Sequence, residues 1–190
     1  MATKTETVAD EITIRFKDAP FHLKNFYKML YFWLGEHDFL KKEISSEKEM
    51  EKFYFEKRNE AGSEIWWWWR TTDVPDKSEF FRYRLNIDAH VLGLKKAEVV
   101  VNNRKVSTNI GEVEIKISAY LDIDPKEKWK QSGFLKVLFG ILFKMKNKDI
   151  KDHFDELLSK TNNLAESIKN FFELPGKEGI ELFHPEKGHY

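Results

Sequence analysis

The sequence predicts an α+β fold, in which an antiparallel sheet of about six strands is followed by a long C-terminal helix. Two patterns indicate this class: an apolar alternation of period two over most of residues 10–121, and a helical period after Asp149. A third feature is the run of four consecutive tryptophans, Trp66 to Trp69, inside one strand. Successive strand residues point to opposite faces, so two indoles lie on each side of the sheet. One pair can be core, and the other must be covered by a helix, a second subunit, a membrane or a ligand.

Composition restricts the class of protein. The 190 residues suit one domain, which we place at 10–174 with a C-terminal tail at 175–190. The 32 basic and 32 acidic residues cancel, so no net field attracts nucleic acid. The absence of cysteine excludes disulfides and thiol catalysis, and the 34% of charged residues is typical of cytoplasmic, thermophile-like proteins. The start has no signal-peptide core, and no apolar run reaches the length of a membrane span.

The first elements are a strand and a helix. From Asp10 to Lys17 the residues alternate, with Ile12, Ile14 and Phe16 on the inner side. Pro20 then opens a predicted helix that ends near Gly35, because proline suits the first helical position.

The tryptophans belong to a predicted hairpin. A three-residue loop, Glu60-Ala61-Gly62, with Gly62 in the left-handed conformation sets Asn59 opposite Ser63. That register gives the cross-strand pairs Phe55 with Trp67, Phe53 with Trp69, Tyr54 with Trp68, Lys52 with Arg70 and Glu56 with Trp66. It predicts that Phe53 and Phe55 face inward with Ile65, Trp67 and Trp69, and that Tyr54 faces outward with Trp66 and Trp68.

The alternation continues through the rest of the sheet. Glu79 to Val91 is the longest alternating run and is predicted to be the central strand. Leu94 to Val101 and Arg104 to Ile110 flank Asn102-Asn103, a type I′ turn pair that sets Val99 opposite Val106 and Ala97 opposite Thr108. The inward parity changes across Gly111, which indicates a bulge or a tight turn there. Val113 to Leu121 forms the last strand.

Asp124-Pro125 ends the sheet, and two apolar segments follow. Phe134 to Met145 reads either as a buried helix or as an interfacial segment that contacts a membrane surface peripherally. A long helix runs from about Asp149 to Glu173. Its apolar stripe comprises Ile150, Phe154, Leu157, Leu158, Leu164, Ala165, Ile168, Phe171 and Phe172.

This order of elements resembles the START-like, or Bet v 1-like, helix-grip superfamily (SRPBCC). The resemblance extends from about Asp10 to Leu174. It is carried by four segments: Glu11 to Phe16, Asn25 to Leu34, Phe80 to Leu121 and Asp149 to Phe172. It implies a sheet of six to seven strands wrapped around the C-terminal helix, with a cavity between them. The superfamily includes lipid carriers, hormone receptors, polyketide cyclases, oxygenase subunits and chaperone-binding proteins, so the fold does not choose among these functions.

We expect non-catalytic binding of an apolar or amphipathic, lipid-like small molecule in that cavity. The same side chains can instead simply fill the core, because bulky rings are ordinary core material. The predicted lining consists of Phe53, Phe55, Trp67, Trp69, Phe81, Tyr83, Leu85, Ile115, Ile117, Phe154, Leu157 and Leu158.

The competing hypothesis is an interaction module, a homodimer or a complex with another protein, that uses the outer sheet face. Arginine beside tryptophan is typical of protein-interface hot spots and also of stacking platforms for single-stranded nucleic acid. The neutral net charge favours protein over nucleic acid. Coverage by the tail, through Ile180, Leu182 and Phe183, is the other alternative. The predicted interface comprises Tyr54, Trp66, Trp68, Arg70, Phe80 and Arg82.

No pattern in the chain predicts a catalytic residue, a metal or a cofactor. The six histidines have neither the helical nor the strand spacing of a zinc pair, and the chain has no phosphate-binding loop or nucleophile elbow. Asp88, beside Arg82 and Arg84, is placed to orient His90 as a general base, but strand parity puts this row on the outer face. A polyketide-cyclase-like enzyme is therefore the third hypothesis.

Overall fold

The structure is a computed structural model, and it describes residues 4–40, 50–75, 80–101, 103–125 and 147–173. The apolar segment from Phe134 to Met145 and the tail at 175–190 lie outside the described residues. The elements in chain order are β1 (Lys4–Phe21), α1 (Leu23–Glu36), β2 (Glu51–Asn59), β3 (Gly62–Asp73), β4 (Phe81–Val101), β5 (Arg104–Ile123) and α2 (Asn147–Glu173).

The strands form one antiparallel sheet in the order β1-β5-β4-β3-β2. The predicted α+β class is confirmed, and β4 lies at the centre as expected. The described residues contain five strands, so the expectation of six to seven is wrong. The reason is that β4 and β5, of 21 and 20 residues, each run through a point where the sequence suggested a break.

A bulge allows these long strands to continue. The β4–β5 register shifts between Leu92 and Lys95, opposite Gly111, and Gly93 has a φ of +64°. The bulge adds one residue to β4. The inward-facing residues therefore change between odd and even numbers across Gly111 without a turn. Beyond it, Val99 pairs with Val106 as predicted from the asparagine turn.

The first strand is longer than predicted. Pro20 lies within β1, opposite Ile110, and α1 begins only at Leu23. The expectation that Pro20 opens the helix is therefore wrong. An edge strand tolerates proline because one of its sides has no ladder to interrupt, and β1 ends the order of the described sheet.

Both helices pack on the inner face of the sheet. Phe26 of α1 contacts the Trp67 ring, with centroids 6.3 Å apart, and Phe172 of α2 stacks on Phe16 at 4.4 Å. Trp67 and Trp69 are 1% and 0% exposed, so their predicted inward orientation is confirmed. The helix predicted after Asp149 is also confirmed. A five-stranded antiparallel sheet with a C-terminal helix on one face is compatible with a helix-grip fold.

Within the described ranges, neither helix has the length and apolarity needed to cross a bilayer.

Two glycines provide a test of the hairpin geometry. Gly62 has a φ of +124°, and a Cβ placed there would lie 2.7 Å from the carbonyl carbon of Gly93. Gly93 also has a positive φ, but its Cβ would find open space, with the Ala61 oxygen 3.9 Å away. We expect Gly62→Ala to lower the free energy of unfolding by about 3 kcal/mol, from backbone strain and overpacking together. Gly93→Ala should cost only about 1 kcal/mol, from conformation alone. Urea denaturation measures both, and equal losses would contradict the close approach of the two backbones.

Candidate ligand-binding site

The β2–β3 hairpin determines which aromatic rings reach each face of the sheet. Asn59 pairs with Gly62, so the loop has two residues, and the predicted three-residue loop is wrong. Phe53 consequently lies opposite Trp68, Tyr54 opposite Trp67 and Phe55 opposite Trp66. Gly62 does have a positive φ, but as the first residue of β3 rather than the last residue of the loop.

A register change of one residue exchanges the faces of a whole strand. Phe53 and Phe55 were predicted to line the inner face, but they share the outer face with Trp68 and Trp66, and they are 37% and 46% exposed. Tyr54 was predicted to lie on the outer face, but it shares the inner side with Trp67. Three of the predicted site residues therefore exchange faces.

The remaining predicted lining residues lie inside or against the core. Phe154 and Leu158 of α2 are partly buried against it. The fully buried members of the set are Trp67, Trp69, Phe81, Tyr83, Leu85, Ile115, Ile117 and Leu157. One member of this buried set, Trp67, also borders a cleft on the inner side of the hairpin.

This cleft opens between α1 and the inner side of β2 and β3, with a volume of about 470 Å³. Its deepest side chains, Ile65 and Trp67, are almost completely buried, whereas Lys24 at its margin is exposed. The cleft therefore combines an apolar floor with a basic rim. Its lining consists of Leu23, Lys24, Tyr27, Lys28, Glu51, Tyr54, Ile65 and Trp67.

One carboxylate accepts hydrogen bonds from α1 and from β3 and so links the helix to the hairpin beside this cleft. Glu51 Oε2 accepts a hydrogen bond from the Tyr27 hydroxyl at 3.0 Å and one from Trp69 Nε1 at 3.4 Å. The indole N–H of Trp67 is buried and has no acceptor among the described residues. A buried donor left unpaired costs about 1–3 kcal/mol, so an acceptor brought to it would be favourable.

The basic rim has an electrostatic effect within α1 itself. The pKa of His22, the residue before the helix, is lowered, first by its burial and then by the positive charges of Lys24 and Lys28. Lys24 and Lys28 are four residues apart and therefore lie on one side of the helix. The lining thus carries two lysines on α1 and one carboxylate, Glu51, on β2.

A second, smaller cleft of about 280 Å³ lies on the other side of α1, between it and α2. Lys28 borders both clefts. Trp33 Nε1 donates to Asn163 Oδ1 at 2.9 Å and links the two helices there. The lining of this second cleft consists of Asn25, Lys28, Met29, Phe32, Trp33, Glu36, Ser167 and Phe171.

Sequence reasoning missed a polar cluster between α2 and the sheet. The Tyr83 hydroxyl donates to Glu156 Oε2 at 3.0 Å and lies 2.7 Å from His153 Nδ1. Lys160 Nζ lies 3.0 Å from Glu156 and 3.8 Å from the buried Asp73. The available signal was that His153, Glu156 and Lys160 share a helix side with buried Leu157, where a purely apolar stripe would be expected.

Two carboxyl groups of this cluster titrate in opposite directions. Burial raises the pKa of Asp73, and the charge of Lys160 only partly offsets this rise. Burial would also raise the pKa of Glu156, but the hydrogen bonds from Lys160 and Tyr83 outweigh it, so the pKa lies below its usual value.

The outer face does not place His90 for catalysis. The His90 ring stacks on Trp66, with centroids 3.5 Å apart, and its Nε2 lies 3.0 Å from Glu64 rather than from Asp88. Asp88 instead bonds Arg70, whose guanidinium lies 5.9 Å from the centroid of the Trp68 ring. His90 and Asp88 therefore contact different partners on the outer face of the sheet, Glu64 and Arg70 respectively.

The predicted interface residues do not form one patch. Arg82 is six residues from Asp88 along β4, which is roughly 20 Å in a strand, and Asp88 is the residue opposite Trp68. Arg82 and Arg84 both bond Asp122, each at 2.8 Å. Phe80 lies next to this end and packs on the edge of Phe81, with centroids 5.0 Å apart.

No protein-family model matches the chain, and no curated protein matches it either.

Asp122 and Asp73 are both buried, and they should respond oppositely to pH. Burial would raise the pKa of Asp122, but hydrogen bonds from Arg84, Arg82 and Thr5 lower it below its usual value. Its contribution to stability is therefore present above the unfolded pKa and is lost as the pH falls through the folded pKa. We expect Asp122→Asn to lower the free energy of unfolding at pH 7 by about 2 kcal/mol, and the deficit to vanish in acid.

The matched variant is Asp73→Asn. Because the pKa of Asp73 is raised, its ionised form reduces stability as the pH rises through the unfolded and then the folded pKa. Asp73→Asn should therefore equal or exceed the wild type at pH 7. Urea denaturation between pH 7 and pH 3 tests both expectations, and a similar loss in the two variants would refute the assignment.

Proposed function

We propose that this protein binds an amphipathic, lipid-like small molecule with an anionic head in the cleft between α1 and the β2–β3 hairpin, without converting it. We further propose that it is a helix-grip ligand-binding protein of the START-like type. The observation that carries the proposal is the combination of a buried apolar floor and a lysine rim in one cleft.

The size and floor of the cleft suit an apolar body. Its volume of about 470 Å³ falls within the range of roughly 300–1,000 Å³ typical of small-molecule sites. Leu23 and the rings of Tyr27 and Tyr54 are partly exposed and offer apolar surface whose contact with an alkyl chain removes that chain from water. Ile65 and Trp67 lie buried behind them. The proposal therefore places the ligand under α1, whereas the sequence led us to expect it between the sheet and the C-terminal helix.

The rim favours an anionic head over a cationic one. Lys24 and Lys28 hold two positive charges on one side of α1, and their field already lowers the pKa of neighbouring His22. A carboxylate or phosphate at the mouth of the cleft would be attracted by both charges, whereas an ammonium group would be repelled.

The lining supports binding rather than turnover. Glu51 is the carboxylate among the described lining residues, and its Oε2 already accepts two hydrogen bonds, from Tyr27 and Trp69. These two hydrogen bonds hold Glu51 between α1 and the hairpin, and the proposal assigns this carboxylate the role of orienting α1.

Dodecanoate, dodecanol and dodecyltrimethylammonium, titrated below their aggregation concentrations, test the preference for the head group. We expect saturable binding in the order anion, alcohol, cation, measured by calorimetry. The double variant Lys24→Ala, Lys28→Ala should weaken dodecanoate binding about tenfold, because two partly exposed charges are lost. Lys105→Ala, in the distant β4–β5 hairpin, is the matched control.

Two tryptophan variants locate the bound molecule. The change in intrinsic fluorescence on adding dodecanoate should largely disappear in Trp67→Phe, which alters the floor of the cleft. It should persist in Trp68→Phe, which alters the outer face. Absence of saturable binding for all three probes, or equal behaviour of the two variants, would refute the proposal.

A further inference from the structure

We propose that β2 pairs with β2 of a second copy of this chain, antiparallel and about a two-fold axis through Tyr54, so that two sheets join at their edges. This inference goes beyond the proposed function, and the cleft under α1 does not depend on it.

The first observation is the character of the edge. β2 ends the strand order, and in the described part of the chain no strand pairs with its outer edge. Its residues from Lys52 onward are exposed. Natural edge strands usually carry prolines or inward-pointing charges, or are very short, and these features prevent pairing with another chain. β2 does carry an inward-pointing charge, because Glu56 lies opposite the buried Ile65, and its register with β3 shifts beside Lys52. Its centre nevertheless presents Phe53, Tyr54 and Phe55, which are 37%, 50% and 46% exposed.

The second observation is that charge selects a single register. Opposite residues of an antiparallel pair share a face, so a two-fold axis normal to the sheet must pass midway between the two copies of one residue of β2; an axis at a residue means that this residue faces its own copy. An axis at Tyr54 sets Lys52 opposite Glu56 of the second copy, and by symmetry Glu56 opposite the other Lys52. It also sets Phe53 opposite Phe55. The segment Lys52 to Glu56 is therefore complementary to itself in charge. Within one chain Glu56 accepts hydrogen bonds from Arg58 Nε at 2.8 Å and from the Tyr54 hydroxyl at 3.3 Å, and pairing exchanges these exposed contacts for Lys52 of the second copy.

The neighbouring registers lack this match. An axis at Phe55 sets Lys52 opposite Arg58, which places like charges together twice. An axis at Phe53 sets Lys52 opposite Tyr54 and Glu51 opposite Phe55. Neither of these pairs joins opposite charges.

The third observation is the aromatic row that this register completes. The rings of Phe53 and Trp68 already pack within one chain, with centroids 4.5 Å apart, and Phe55 lies opposite Trp66. Pairing through Tyr54 brings Phe53 of one copy beside Phe55 of the other on the outer face. Two continuous rows result, each of two tryptophans and two phenylalanines, and the symmetric contact closes at a dimer.

The test uses the full chain in sedimentation-equilibrium experiments. We expect a monomer–dimer equilibrium in which Glu56→Lys and Lys52→Glu each raise the dissociation constant about tenfold or more, because each places like charges opposite one another. The double variant Lys52→Glu, Glu56→Lys restores opposite charges and should return the constant to near the wild-type value. Lys105→Glu is the charge control. A monomeric wild type, an oligomer other than a dimer, or a double variant without recovery would overturn the proposal.

Hydrogen exchange gives an independent measurement that needs no variant. The amides of residues 53–57 that bond β3 are protected throughout, whereas those that point away from β3 should gain protection as the protein concentration rises. A monomer in which these amides are protected at every concentration would show that another segment of the same chain occupies the edge, and would likewise overturn the proposal. Ligand titrations of the cleft are read separately, so failure of the dimer leaves the proposed binding function standing.

Discussion

The structure depends on the burial of one pair of indoles by α1. Tyr27 packs on the edge of Trp69 at 4.7 Å, and Phe26 contacts Trp67 at 6.3 Å. Because neighbouring strand residues point to opposite faces, burial of this pair forces Trp66 and Trp68 outward. The inner cleft and the outer aromatic row are therefore two consequences of the same alternation along β3.

Buried polar groups fix how the elements are oriented on this apolar framework. Glu51 joins α1 to the hairpin, Glu156 joins α2 to Tyr83, and Asp122 joins two arginines of β4 to Thr5 of β1. Apolar contacts tolerate sliding, whereas a buried carboxylate requires its donors at a particular place. Each carboxylate therefore selects one arrangement among several with similar apolar burial.

The edge strand β2 connects the two proposals. Its inner side contributes Glu51 and Tyr54 to the cleft, while its outer edge carries the self-complementary segment from Lys52 to Glu56. Tyr54 lies at both places: it lines the cleft, and in the proposed dimer it would face Tyr54 of the second copy across the two-fold axis. A molecule bound in the cleft would therefore contact a residue of the proposed interface, which gives a physical route by which occupancy and association can influence one another.

The sequence by itself determined the features that depend on local periodicity. The inward orientation of Trp67 and Trp69, the pairing of Val99 with Val106 and the apolar stripe of α2 all follow from spacing or turn chemistry within a few residues.

Tertiary structure decided the rest. Gly62 is compatible with a loop of two or three residues, so local sequence cannot choose the register, and Phe53, Tyr54 and Phe55 change faces with it. The bulge at Gly93 depends on the pairing of β4 with β5. The contact of Tyr83 with His153 joins residues 70 positions apart, and the cleft exists only because of where α1 packs. Such contacts depend on the position of whole elements, which no local pattern encodes.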